Sequence, residues 1–218
     1  MLSKKTIHLF DCDGVIFNSN SLKIDALKFA LESVGSSKEF INWAIEEFRM
    51  NFGRSRLEHF KIFKINNIFP RNSFTSEMSH RCQNIYSKKV QSLYCDCEII
   101  DETYQYLCKL PLYHSVFIVS SSDEAELKSI LPSRLSLVNP LNIFGGPTEK
   151  KENIRKILES CEAGQAIMYG DSVEDAQSAI ENNIYFCGLT KYSADPESLI
   201  SFCRQWSKDC FEHCLELT

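Results

Sequence analysis

Residues 7–15 read IHLFDCDGV, an apolar run followed by two aspartates one residue apart and then a glycine. The run has the length and bulk of a buried strand, and the glycine marks its end. Carboxylates this close repel one another, so a fold gains no stability by collecting Asp11 and Asp13 at one strand end. Two readings stand open: the pair caps a tight turn, or it shares a cation and performs chemistry.

Further along, apolar runs at 115–119, 141–144, 166–169 and 184–187 have the same strand character, each closed by small, polar or glycine residues. Helical patterns at 124–131, 149–160 and 173–181 fall between or beside them. Alternation of this kind predicts an α/β fold, a doubly wound parallel sheet with helices on both faces. Ligands of such sheets bind in the crevice at the carboxyl ends of the strands.

The first strand departs from the rhythm. About a hundred residues separate it from the second, far more than one crossover needs. That interval reads as helices at 21–34, 38–50, 55–63 and 74–93, with Asn66, Asn67 and Pro70 marking a turn. A core helix at 98–110 then leads back to the sheet. The expectation is a Rossmann-like core of residues 1–18 and 93–218, interrupted by a helical cap at 19–92. No internal repeat or low-complexity tract is visible.

The chain has 218 residues, 44% of them hydrophobic and 24% charged, the composition of an ordinary globular protein. Its formal net charge of −5 argues against a nucleic-acid partner. Lys4-Lys5 and Lys88-Lys89 read as solvated faces. No signal-peptide pattern is seen at the start, and no run reaches the ~18–20 apolar residues of a membrane span. The ten unevenly spaced cysteines therefore predict reduced thiols in a cytoplasmic protein, a monomer or homodimer. Cys95, Cys97 and the tail group Cys203, Cys210, His213 and Cys214 lack the paired spacing of a zinc site and are expected to be packed or surface side chains.

The polar residues at the strand ends carry the chemistry. Asp11 and Asp13 follow the first strand and Ser120 the second; Lys150 opens the helix after the third; Asp171 and Asp175 follow the fourth. Ser120 terminating its strand, or Asp171 and Asp175 serving as helix-cap and surface acids, would each be unremarkable alone. Together they set carboxylates, a hydroxyl and an ammonium on one sheet edge. Hard oxygen ligands of this kind suit Mg²⁺. One carboxylate can attack a phosphoryl group, a second can serve as acid and base, and Ser and Lys can hold the phosphoryl oxygens.

In that order and spacing, DCDGV at 11–15, VFIVSSS at 116–122, Lys150 and GDSVED at 170–175 resemble the four motifs of the haloacid dehalogenase superfamily, in its branch with a helical cap. The resemblance spans nearly the whole chain. It implies Asp11 as nucleophile and Mg²⁺ ligand, and Asp13 as acid/base with its backbone carbonyl on the metal. It further implies Ser120, with Ser121 beside it, and Lys150 on the phosphoryl group, and Asp171 and Asp175 completing the metal site. Lys151 is the alternative to Lys150, with spacing favouring the latter.

An acid/base carboxylate at position 13 favours a phosphatase or a phosphomutase over a dehalogenase. The expected activity is Mg²⁺-dependent hydrolysis of a small phosphorylated metabolite, such as a sugar phosphate or phosphoglycolate. The alternatives are a sugar phosphomutase and a non-catalytic phospholigand-binding protein. A receiver domain would be far shorter and would lack the insert. Within the insert, Arg49, Arg54, Arg56 and His59 flank a glycine; Arg54 is the first candidate for substrate binding, since guanidinium suits anionic groups, and surface charge is the plainer reading of each.

Overall fold

The computed structural model describes residues 6–66, 68–70, 73–110, 115–136, 139–161 and 164–217. Lys4, Lys5 and Asn67 lie outside them. Among the described residues six parallel strands form one sheet in the order β3-β2-β1-β4-β5-β6. They are β1 (Thr6–Phe10), β2 (Ser115–Asp123), β3 (Ile143–Gly146), β4 (Gln165–Gly170), β5 (Tyr185–Leu189) and β6 (Asp209–Phe211). The strand order reverses between β1 and β4, which places a ligand-binding crevice at their carboxyl ends.

Side-chain alternation along β1 serves both faces of this sheet. Ile7 and Leu9 pack with Ile154, Ile157, Ala176 and Leu199, from α7 (Lys150–Ser160), α8 (Val173–Glu181) and α9 (Pro196–Gln205). On the other face, His8 stacks on Tyr169, with ring centroids 5.8 Å apart, and Phe10 on Tyr169 at 4.4 Å. Helices α5 (Asp101–Lys109) and α6 (Glu124–Arg134) lie there.

Between β1 and α5 run α1 (Asn20–Ser33), α2 (Lys38–Met50), α3 (Arg56–Ile65) and α4 (Ser76–Asp96). Serine caps start two of them: Ser37 accepts from the Phe40 amide, and Ser55 and Glu58 form a capping box. Phe40, Ile41, Ala44 and Phe48 line the buried face of α2. Phe40 lies 5.0 Å from Phe74 and 5.4 Å from Phe69, ring centre to ring centre. Replacing this ring with alanine is expected to cost about 3–5 kcal/mol. The insert's apolar interior continues without a break to Phe10 and Phe17 of the core.

Two segments carry the chain between core and insert, and they run side by side. The Asn18 amide donates to the Glu98 carbonyl at 3.0 Å and the Ile100 amide to the Ile16 carbonyl at 2.8 Å. That pairing is why α5 begins at Asp101 rather than at 98. Helix α4 continues to Asp96, past the expected boundary at 92. Leu141, expected in a strand, is 79% exposed in a short turn of 3₁₀-helix, and β3 starts two residues later. Sequence periodicity also missed α9 and β6, the latter only three residues long.

Candidate active site

Asp11, Asp13, Ser120, Lys150, Asp171 and Asp175 stand at the carboxyl edge of the sheet, and Arg54 stands in the insert. Asp11 leaves β1 with its amide bonded to the Tyr169 carbonyl of β4 at 2.9 Å. Gly14 then turns the chain at φ +74°, and a Cβ there would lie 2.2 Å from Asp171 Oδ2. Only glycine allows both that turn and the close approach of the β4 loop.

Lys150, at the start of α7, is 4% exposed. Its Nζ donates to Asp11 Oδ1 at 3.0 Å and also to Asp175 Oδ1. Burial opposes its charge, but Asp11 and Asp175 outweigh it and raise the ammonium above its ordinary range. Lys151 points away and pairs with Glu149 and Glu181 at the surface. Asp175 occupies the third position of α8, where its Oδ2 accepts from the Ser172 amide at 3.1 Å and the Ser172 hydroxyl at 2.6 Å. The capping role and the site role are thus filled by one side chain.

Oxygen atoms of Asp11, Asp171 and Asp175 all lie within 4.8 Å of one another, and all three residues are buried. Burial, opposed by Lys150 and reinforced by Asp175 and Asp13, pushes the Asp11 carboxyl up to about 7. Burial and then Asp11 push Asp171 up as well. Asn20 donates to Asp171 Oδ2 at 2.7 Å, while its own Oδ1 is enclosed without a donor. A divalent cation with a hard oxygen shell fits this donor set, since it would neutralise the carboxylates and use the orphaned acceptor.

Asp13 faces elsewhere. Its Oδ1 accepts from Ser19 Oγ at 2.6 Å and Tyr94 Oη at 2.5 Å; its Oδ2 accepts from Ser122 Oγ at 2.9 Å and from Lys23 Nζ. Burial alone would raise this carboxyl, but Lys23 and the hydrogen bonds hold it below the usual range. Its carboxylate is therefore separate from the Asp11–Asp171–Asp175 group. None of Ser19, Asn20, Lys23, Tyr94 and Ser122 was singled out by the sequence reading. The available signal was the spacing of Asn20 and Lys23, one turn apart on the helix that follows the Asp pair.

A pocket joins these groups to the insert. Ser120, Ser121, Lys150, Asp11 and Asp13 line one side. Arg54, Arg56 and His59 line the other, and Arg49 does not reach it. Arg56 is engaged with Glu126 of α6 by two hydrogen bonds of 3.0 and 2.7 Å. The tail cysteines lie away from this site, and no group of metal ligands forms around them among the described residues.

Among solved structures, a Lactobacillus plantarum protein provisionally designated a phosphoglycolate phosphatase superposes with a TM-score of 0.73 at 20% identity, over 99% of this chain and 98% of that one. A phosphatase assigned by prediction in Clostridium acetobutylicum gives 0.73 at 18%, over 99% and 96%. A provisional β-phosphoglucomutase from Bacteroides vulgatus gives 0.73 at 13%, over 98% and 86%. At these identities the likeness is one of fold. A search of curated proteins finds no match. The model of the haloacid dehalogenase-like hydrolases matches residues 8–189, from β1 to the end of β5 and through every strand-end motif described above. The chain belongs to the haloacid dehalogenase-like hydrolase family.

Proposed function

We propose that the protein is a Mg²⁺-dependent phosphatase acting on a small phosphate monoester, with residues 19–92 as its cap. The observation that carries this reading is the Lys150–Asp11 pair at 3.0 Å, facing a pocket beside Ser120 and Asp13. Lys150 aims Asp11 and opposes the effect of burial on its charge, as a carboxylate nucleophile requires.

Asp11, Asp171 and Asp175 would hold the cation, with the Asp13 carbonyl as the family resemblance implies. Bound there, it supplies charge neutralisation and Lewis-acid polarisation of the phosphoryl oxygens. Asp11 Oδ attacks phosphorus as the bond to the leaving oxygen breaks, and Asp13 donates a proton to that oxygen. Asp13 then takes a proton from water, which attacks phosphorus, releases phosphate and restores the Asp11 carboxylate. Ser120, Ser121 and Lys150 orient the phosphoryl group throughout.

Because Lys23 favours ionised Asp13, the phosphate monoester enters as its monoanion and gives Asp13 the proton that Asp13 passes to the leaving oxygen. Hydrolysis of p-nitrophenyl phosphate should require Mg²⁺, stop in chelator and vanish in Asp11→Asn. Full turnover in excess chelator would refute the reading.

A further inference from the structure

Two cysteines meet at the β6 edge of the sheet, where no residue serves the phosphoryl pocket. Cys203 comes from the last turn of α9 and Cys210 from β6, with six residues between them. Ser207 turns the chain there at φ +50°, and the Lys208 amide bonds back to the Cys203 carbonyl at 2.9 Å.

Gly188 of β5 makes room for both sulfurs. It stands opposite Cys210 in the parallel register. A Cβ at Gly188 would lie 3.2 Å from Cys210 Sγ and 3.3 Å from Cys203 Sγ. The two sulfurs therefore converge on one point that any side chain would take.

The pleat sorts this pair from the neighbouring thiols. Cys187 and Cys214 pack with Tyr169 on the other face of the sheet. Burial pushes Cys214 up to about 12 and raises Cys187 as well, and thiols of that kind are inert. Cys203 packs with Phe186 and Leu199 and is 1% exposed, whereas Cys210 is half-buried at the margin of that group. Cys210 also lines a surface cavity beside Arg204, Lys208, Asp209, Glu212 and Glu216. A hydrogen bond from Cys203 holds Cys210 below its ordinary range, with burial opposing and Arg204 assisting. The same bond and then burial push Cys203 up.

An accessible sulfur with thiolate character beside a buried thiol is the arrangement in which a sulfenic acid condenses to a disulfide. We propose that Cys210 and Cys203 form a redox-active dithiol, which a hydroperoxide converts to an intramolecular disulfide. Cys210 is the attacking sulfur and Cys203 the resolving one. With hydrogen peroxide, the Cys210 thiolate attacks one oxygen; the S–O bond forms as the O–O bond breaks, and the departing hydroxide takes a proton. The Cys203 thiol then gives up its proton and attacks the Cys210 sulfur. The S–S bond forms, the S–O bond breaks and water leaves. The two thiols lose two electrons and two protons, and the peroxide is reduced to two waters. The new bond fastens the three-residue strand β6 to α9.

The test treats the full chain, reduced and then freed of reductant, with a small excess of hydrogen peroxide and follows its intact mass. A loss of two hydrogens, reversed by dithiothreitol, is expected. Trypsin cuts after Arg204 and Lys208, so the bond should appear as two linked peptides, with fragmentation assigning it to Cys203 and Cys210 and not to Cys214. Cys210→Ser should form no such link. Cys203→Ala should stop at the sulfenic acid, which dimedone labels at Cys210. Should that variant fail to fold, dimedone present from the start should divert the wild-type chain to the same Cys210 adduct. A chain that loses no hydrogens, that oxidises first at the exposed Cys95 or Cys108, or that joins Cys210 to Cys214 would overturn the inference. A dimedone adduct on Cys203 in place of Cys210 would overturn the assignment of the attacking sulfur.

Discussion

Lys23, on the first helix of the insert, forms an ion pair with Asp13, on the turn after the first core strand. The Lys23 side chain is 12% exposed and that of Asp13 is 5% exposed, so solvent screens the pair weakly. Position of the insert and charge state of Asp13 are therefore linked, through Lys23 first and through Ser19 and Tyr94 beside it.

Lys23→Met should destabilise the protein by about 3–5 kcal/mol at pH 7, because it leaves a buried carboxylate without its counter-ion. The folded Asp13 carboxyl lies below its ordinary value, so its contribution is present above pH ~4 and fades as pH falls through the folded value. Urea midpoints should separate wild type from Lys23→Met at pH 7 and draw together as pH falls below ~4. A gap that stayed constant across that range would exclude Asp13 as the partner that matters.

Asp11→Asn should abolish turnover and at the same time raise stability. With Asp11 pushed up to about 7, the folded state binds its proton more tightly than the unfolded state, so stability falls as pH rises from ~4 to ~7. In chelator at pH 8 the variant should melt several degrees above wild type, at ~2–4 °C per kcal/mol for a chain this size. At pH 5 the advantage should narrow. An unchanged or lower Tm at pH 8 would mean that Asp11 is not held against its neighbours' charge.

Cation binding has a signature apart from catalysis. Mg²⁺ at a hundred times its Kd should stabilise wild type by ~2.7 kcal/mol, with a larger thermal shift at pH 8 than at pH 5, since the carboxyls must lose their protons. Asp171→Asn should remove most of the shift. Gly14→Ala should do the same, because a Cβ there meets Asp171 Oδ2 at 2.2 Å. A shift that survived in both variants would place the cation elsewhere.

Arg56 and Glu126 tie the insert to α6, and Ser87 of α4 also donates to Glu126. Glu126→Gln should weaken this tie. Amide exchange is expected to quicken at Asn18 and Ile100, whose hydrogen bonds join the two crossing segments. Unaltered exchange at both amides would show that the ion pair does not govern opening.

Much of this architecture is local in origin and could be read from local pattern. The ends of α2 and α8 follow from Ser37 and Ser172, side-chain caps whose action reaches three residues. The strand-end positions of Asp11 and Asp171 follow from apolar runs that stop at polar residues, whereas β2, expected to end at 119, runs on through Ser120 to Asp123. Where pairing across the chain set an element's limits, local pattern failed. Helix α5 starts late because residues 98–100 pair with the segment at 16–18, and β6 exists because β5 offers it a partner, Gly188 opposite Cys210.

The sequence by itself determined the order of the strands along the chain and the residue types delivered to the sheet edge, since both depend on near neighbours. Only the tertiary structure decided how those residues divide. Asp175 turned toward Lys150 and Ser172, Lys150 rather than Lys151 turned inward, and Asp13 was claimed by Lys23, Tyr94 and Ser122. The physical reason is burial. Once these side chains leave water, each charge and hydrogen-bonding group must find a partner among those the fold brings within 3 Å or so, and partners such as Tyr94 stand 81 residues away along the chain.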